Sequence, residues 1–232
     1  MSKGIFTLLI VLTSHDQLGE TGDKTGFWLE EFTTPYYVFL DAGVQITLAS
    51  PNGGKPPIDP RSLAEEAQTQ STRRFMQDDK ANQSLATTVK LSDVNAEEFD
   101  AVFYPGGHGP LWDLVNNKDS IRLIESFWAQ GKPVSAVCHA PAVLLNARDP
   151  QGDLIIRDKK VTGFTNSEEA AIGLTDKVPF LLESELIKNG GIYSSADDFM
   201  PHIKIDGNLI TGQNPASAKG VATALLDMMK SE

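Results

Sequence analysis

Apolar and polar positions switch repeatedly between the period of a buried strand and that of an amphipathic helix, a pattern that predicts a layered α/β chain. Ile5–Leu12 is a near-continuous apolar run, as expected of a strand covered on both faces. After a polar loop over 13–22, a helix is predicted to open near Asp23 or Thr25 and run through Phe27–Phe32. Pro35 should interrupt or kink it. Tyr36, Tyr37, Phe39 and Leu40 carry its apolar face on to a stop at Gly43, and Val44–Ala49 reads as a second strand. Residues 52–92 break the rhythm, with Pro56, Pro57 and Pro60, the pairs Glu65–Glu66, Arg73–Arg74 and Asp78–Asp79, and few strong hydrophobes. Such a segment cannot bury a core alone, so it is predicted to be a mostly helical insertion, either a lid or a plain surface excursion.

Order returns with Phe99–Tyr104, a strand that feeds Pro105-Gly106-Gly107-His108-Gly109-Pro110. Asp119–Gln130 has helical period with Ile121, Ile124 and Trp128 on one face and Gly131 as its stop. Val134–Val137 is a short buried strand that passes through Cys138 and His139 directly into a helix at Ala142–Leu145, with Pro141 in the first turn. A loop or hairpin at 151–160, a short strand at Val161–Phe164, and helices opening at Asn166 and spanning Phe180–Lys188 follow. Asp206-Gly207-Asn208 joins two apolar triplets as a hairpin, and Asn214-Pro215 caps a last helix whose inner stripe is Val221, Leu225 and Met228. The expected architecture is a single α/β domain over 1–232, with a mainly parallel sheet, helices on both faces and ligand at the C-terminal strand ends.

Composition narrows the partners. At 232 residues, 41% hydrophobic and 22% charged, the chain has the balance of a soluble globular protein. A net charge of -11 disfavours nucleic acid and anionic membrane surfaces. The single cysteine cannot form an intramolecular disulfide, and Ile5–Leu12 is too short to span a bilayer and lacks a small-x-small cleavage site. A cytoplasmic location without membrane attachment is therefore expected.

Candidate chemistry gathers where strands end. A lone cysteine is ordinarily a small buried hydrophobe, but Cys138 occupies a strand-to-helix corner, which lifts a side chain above the sheet edge. The following helix N-terminus is expected to lower the thiol pKa. Gly106-Gly107 can bring backbone N–H groups against an oxyanion, or can simply form a tight turn needing positive φ. His139 can work beside the thiol if a carboxylate orients it, and Glu168 or Glu169 after the Gly163-Phe164-Thr165 strand end is the candidate. His108, beside the glycines, is placed to line a pocket, whereas His15 and His202 read as loop residues. No histidine has metal-type local spacing, and no phosphate-binding glycine pattern is present, so neither a metal nor a cofactor is expected.

Five segments together resemble the ThiJ/PfpI family: Gly26-Phe27-Trp28-Leu29-Glu30-Glu31, Tyr104-Pro105-Gly106-Gly107-His108-Gly109, Ala136-Val137-Cys138-His139-Ala140-Pro141, Val161–Asn166 and Thr211–Ser217. The resemblance spans essentially the whole chain and is nearest the heat-shock-chaperone-like, glutathione-independent glyoxalase III branch. It implies a flavodoxin-like sandwich related to class I glutamine amidotransferase domains, and Cys138 as the nucleophile of an elbow. It further implies Glu30 against the thiol, a triad-like group of Cys138, His139 and Glu169, and oxyanion donors from Gly106 and Gly107. Methylglyoxal or a related 2-oxoaldehyde is the implied substrate, lactate the product, and a homodimer a further expectation. Amide or peptide hydrolysis or deglycation at the same site is one alternative. A holding-chaperone or oxidant-sensing role, with Trp28, Tyr36, Tyr37 and Phe39 forming an apolar patch, is another.

Overall fold

A computed structural model describes residues 4–231, so the two ends of the expected 1–232 span fall outside it. In chain order the elements are β1 (Thr7–Val11), α1 (Leu29–Asp41), β2 (Gln45–Ser50), α2 (Gln70–Met76), α3 (Asp79–Ala86), β3 (Val89–Lys90), β4 (Ala101–Tyr104) and α4 (Lys118–Ala129). Then come β5 (Val134–Val137), β6 (Lys160–Val161), α5 (Asn166–Ala171), α6 (Leu182–Lys188), β7 (Ile192–Tyr193), β8 (Ile203–Asp206), β9 (Leu209–Gly212) and α7 (Ala218–Ser231). Seven strands form one sheet in the order β3-β2-β1-β4-β5-β9-β8, parallel except for the β8–β9 hairpin. This is the flavodoxin-like arrangement, and β6 pairs with β7 in a separate two-stranded sheet.

The apolar run of β1 is continuous because both faces of the strand are covered. Leu9 and Val11 pack with α4, through Leu123, Ile124 and Phe127, while Leu8 and Ile10 pack with Phe32 and Phe39 of α1 and Leu225 of α7. Each such fully buried side chain contributes about 1.5–3 kcal/mol relative to exposure. The chain turns to opposite sides of β1 after β2 and before β4, and the strand ends along this edge face a common crevice.

Several expectations need correcting. Residues 23–28 are not helical: Phe27 N–H donates to Pro57 O and Asp59 N–H to Phe27 O, so this segment is tied to the insertion and α1 opens only at Leu29. Pro35 lies inside α1 without ending it. Tyr36, Tyr37 and Phe39 are buried in the core and form no exposed apolar patch. The inner stripe of α7 ends on Met229 rather than Met228, and α4 turns Leu123 and Phe127 inward with Ile124, leaving Ile121 and Trp128 half-buried. The turn after Cys138 is a 3-10 helix over Ala140–Leu144 rather than an α-helix. The insertion is ordered: it supplies α2, α3 and edge strand β3, and its 3-10 turn Pro60–Leu63 carries Arg61 to the crevice. Among the described residues no helix is long and apolar enough to cross a membrane.

Candidate active site

Cys138 follows β5 with φ of 64°, in the left-handed region where a non-glycine residue is strained by roughly 1–3 kcal/mol. Neighbouring strands hold that geometry. Cys138 N–H donates to Gly212 O (2.9 Å) at the end of β9, and Cys138 O accepts from Phe164 N–H (2.9 Å). The corner therefore turns its thiol toward the loop after β4, as an elbow does.

That loop is pinned from the other side by α1. Trp28 N–H, at the helix N-cap, donates to Gly106 O (2.9 Å), and Gly106 N–H donates to Glu31 Oε2 (2.7 Å). A Cβ at position 106 would lie 2.5 Å from Glu31 Oε2 and 2.8 Å from Cys138 Cβ, so only glycine lets helix, loop and elbow meet. Gly107 (φ 97°) then directs its N–H to the Cys138 sulfur. Of the two expected oxyanion donors, Gly107 faces the thiol, whereas the Gly106 N–H is already engaged by Glu31.

The carboxyl group against the thiol is that of Glu31, and the expectation of Glu30 is corrected. With α1 opening at Leu29, Glu30 shares the outer stripe with Thr34, Val38 and Asp41 and lines a separate groove. Glu31 sits on the opposite edge, fully buried, and lines the cavity beside the Cys138 thiol. Its Oε1 is buried and has no hydrogen-bond partner among the described residues. Burial pushes the Glu31 carboxyl well above its ordinary range, against the opposing effect of the Cys138 thiol and the Gly106 hydrogen bond. Burial likewise pushes the Cys138 thiol up, reinforced by the charge of Glu31. The depressed thiol pKa expected from the helix dipole does not arise, because a buried 3-10 turn of five residues offers little dipole against complete desolvation.

His139 is held between sulfur and acid. Its Nδ1 lies 3.4 Å from Cys138 Sγ and its Nε2 lies 2.6 Å from Glu169 Oε2. Thr165 caps α5 and aims Glu169 at the histidines, while Glu168, one position earlier, turns about 100° away and accepts from Gln213 Nε2. The geometry thus brings Glu169, not Glu168, to His139. The other Glu169 oxygen bonds His108 Nε2 (2.7 Å), and Arg61 Nη2 reaches His108 Nδ1 (3.1 Å). Because Arg61 can only donate, His108 must accept at Nδ1 and carry its proton on Nε2. Burial first, then the neighbouring His139, lowers the His108 pKa to about 4, so the ring is neutral near pH 7. Burial tends to raise the Glu169 pKa, but the two histidines outweigh it and hold the carboxylate well below its ordinary range.

His108, His139 and Glu169 also bring three possible metal-ligating atoms within 4.8 Å of one another. Ligand atoms around a tetrahedral zinc lie about 3.3 Å apart, given bonds near 2.0 Å. The two nitrogen–oxygen separations of 2.6 and 2.7 Å would have to open to admit an ion, so the present geometry is that of a hydrogen-bonded relay.

A cavity of ≈ 260 Å³ opens over the sulfur. Trp28, Arg61, Phe164, Ile172, Phe199 and Pro215 line it together with Glu31, Gly107, His108, Cys138 and His139. The motif segments contain the floor of this cavity and, in its wall, Trp28, Phe164 and Pro215, but not Arg61, Ile172 or Phe199, and they left Glu31 without a role. Glu30, Thr34 and Asp41 recur at helical spacing as a largely polar stripe that Val38 interrupts, which sets Glu30 outward and Glu31 inward; nothing local marked Arg61 or Phe199.

The DJ-1/PfpI family profile matches residues 24–228. Glyoxalase 3 of Candida albicans is 33% identical over 220 residues, covering 91% of this chain and 93% of that protein. Glutathione-independent glyoxalase HSP31 of Saccharomyces cerevisiae is 33% identical over 235 residues, covering 96% and 98%. Among solved structures, the Francisella tularensis Rapid Encystment Protein 24 KDa superposes with a TM-score of 0.93 at 42% identity, covering 97% of this chain and 99% of that one.

Proposed function

This chain belongs to the DJ-1/PfpI family, and from that footing we propose that it is a glutathione-independent glyoxalase, converting 2-oxoaldehydes such as methylglyoxal to 2-hydroxy acids. The observation that carries the reading is the buried Glu31 carboxyl beside the Cys138 sulfur, with one oxygen that has no hydrogen-bond partner among the described residues.

Sulfur adds to the aldehyde carbon while the thiol proton passes, through His139 or Glu31, to the aldehyde oxygen, giving a hemithioacetal. The Glu31 carboxylate then takes the proton from that carbon and returns it to the adjacent carbon through an enediol. A carboxyl pKa raised by burial suits a group that must both accept and release this proton. The product is a thioester of the 2-hydroxy acid on Cys138. Water, deprotonated by His139 with Glu169 holding the ring, cleaves it and restores the thiol. Gly107 N–H stabilises the oxygen that gains charge.

Amide hydrolysis is less well served, since the Gly106 N–H that would complete an oxyanion pair is committed to Glu31. The direct test is incubation with methylglyoxal and no glutathione. Lactate should accumulate with the wild-type chain and not with Cys138→Ala; lactate formation indifferent to Cys138 would refute the proposal.

A further inference from the structure

The cavity is larger and more apolar than a three-carbon substrate needs. Its ≈ 260 Å³ would hold roughly eight water molecules at about 30 Å³ each, whereas methylglyoxal takes the space of roughly two or three. The reacting groups occupy only the floor. Opposite them stand Trp28, Phe164, Ile172, Phe199 and Pro215, all apolar or aromatic. Arg61, the basic side chain on the wall, is already engaged: Nε donates to Asp59 Oδ1 (3.0 Å), and Nη2 donates to Asp59 Oδ2 (2.6 Å) and His108 Nδ1 (3.1 Å). An anionic substituent would meet a cation that Asp59 has neutralised.

Phe199 is the unusual member of this wall. Its φ is 61°, a conformation costly for an aromatic residue, and the residue is 46% exposed. Strain with so much of the ring left in solvent gains little for the fold. The ring stands edge-on to Phe164 at 6.3 Å between centroids, and Phe164 lies tilted by 36° against His139 at 4.4 Å. An aromatic path thus leads from the mouth of the cavity to the relay.

We infer that the preferred substrates are 2-oxoaldehydes bearing a bulky neutral substituent, aryl or branched alkyl, with Phe199 as a specificity-determining residue. This rests on the glyoxalase reading of the same site. Phenylglyoxal would pass through the same steps, with water as co-reactant, to give mandelate. Its ring would fill the space that methylglyoxal leaves empty.

The test compares initial-rate kcat/KM for phenylglyoxal and methylglyoxal, read before either aldehyde modifies arginine. The ratio should favour phenylglyoxal by about tenfold or more, since even one methylene in an apolar pocket is worth that order. Phe199→Asn, which tolerates the left-handed backbone, should lower the ratio several-fold, about the value of one aromatic contact. Equal kcat/KM for the two aldehydes, or a ratio untouched by Phe199→Asn, would overturn the inference. If neither aldehyde is turned over, the glyoxalase reading fails, and the cavity is judged by alkylation instead. Acetophenone should slow iodoacetamide modification of Cys138 at concentrations where acetone does not, and equal protection by the two ketones would overturn the inference independently of turnover.

Discussion

Glu169→Gln keeps the volume and shape of the side chain but replaces a carboxylate that serves two histidines at 2.6 and 2.7 Å. A glutamine has one oxygen to accept with, so one histidine must face an NH2 group. His108 cannot adapt, because Arg61 already donates to its Nδ1 and fixes its proton on Nε2. His139 can, because its Nδ1 faces only the sulfur at 3.4 Å. The substitution should therefore drive His139 into the tautomer with its proton on Nδ1, where it cannot accept from the thiol. Losing the tautomer in a Ser-His-Asp triad costs about 10⁴ in kcat, and a drop of about 10³–10⁴ is expected here. One charge-assisted hydrogen bond is lost and another weakened, so stability should fall by about 1.5–3 kcal/mol near neutral pH. The Glu169 pKa is depressed in the folded state, so this contribution is fully present above the unfolded value and is lost progressively as the pH falls from there through the folded one. Wild type and Glu169→Gln should accordingly converge in stability toward acid. Lactate formation from methylglyoxal gives kcat, and urea unfolding followed from pH 7 downward gives the stability difference. A kcat reduced less than about tenfold, or a stability gap that persists unchanged into acid, would refute the argument for the relay.

The remaining expectations can be read in the same assays. Glu31→Gln should abolish turnover while Glu30→Gln leaves kcat within about twofold, because only Glu31 faces the thiol. The Glu31 pKa lies above its unfolded value, so its charge opposes folding above the ordinary carboxylate range. Glu31→Gln should thus be as stable as wild type or more so at pH 7, and the difference should vanish as the pH falls through that range. At position 138, with φ of 64°, glycine should be more stable than alanine by about 1 kcal/mol in denaturant unfolding, the reverse of the usual order. Because burial first of all raises the thiol pKa, iodoacetamide should alkylate Cys138 more slowly than a free thiol at pH 7.

What the sequence determined by itself was whatever depends on neighbours along the chain. The apolar run at 5–12, the glycine pair after Tyr104 and the placing of Cys138 between a short strand and a Pro-containing turn are local patterns. They were enough to bring Cys138, His139 and the Gly106-Gly107 loop to one edge of a parallel sheet, where the structure has them. Tertiary structure decided the rest, because adjacent residues on a helix point about 100° apart and a one-residue error in phase changes the partner. The choice between Glu30 and Glu31 followed from where α1 opens, and contacts of Phe27 and Asp59 with distant backbone set that point. The choice between Glu168 and Glu169 followed from which side of α5 met His108 and His139. The direction of the thiol pKa reversed for a similar reason: a dipole can be read from a helix start, but desolvation belongs to everything packed around the sulfur. Arg61 and Phe199, from segments with no periodic signal, reach the cavity only once distant strands have closed the crevice around it.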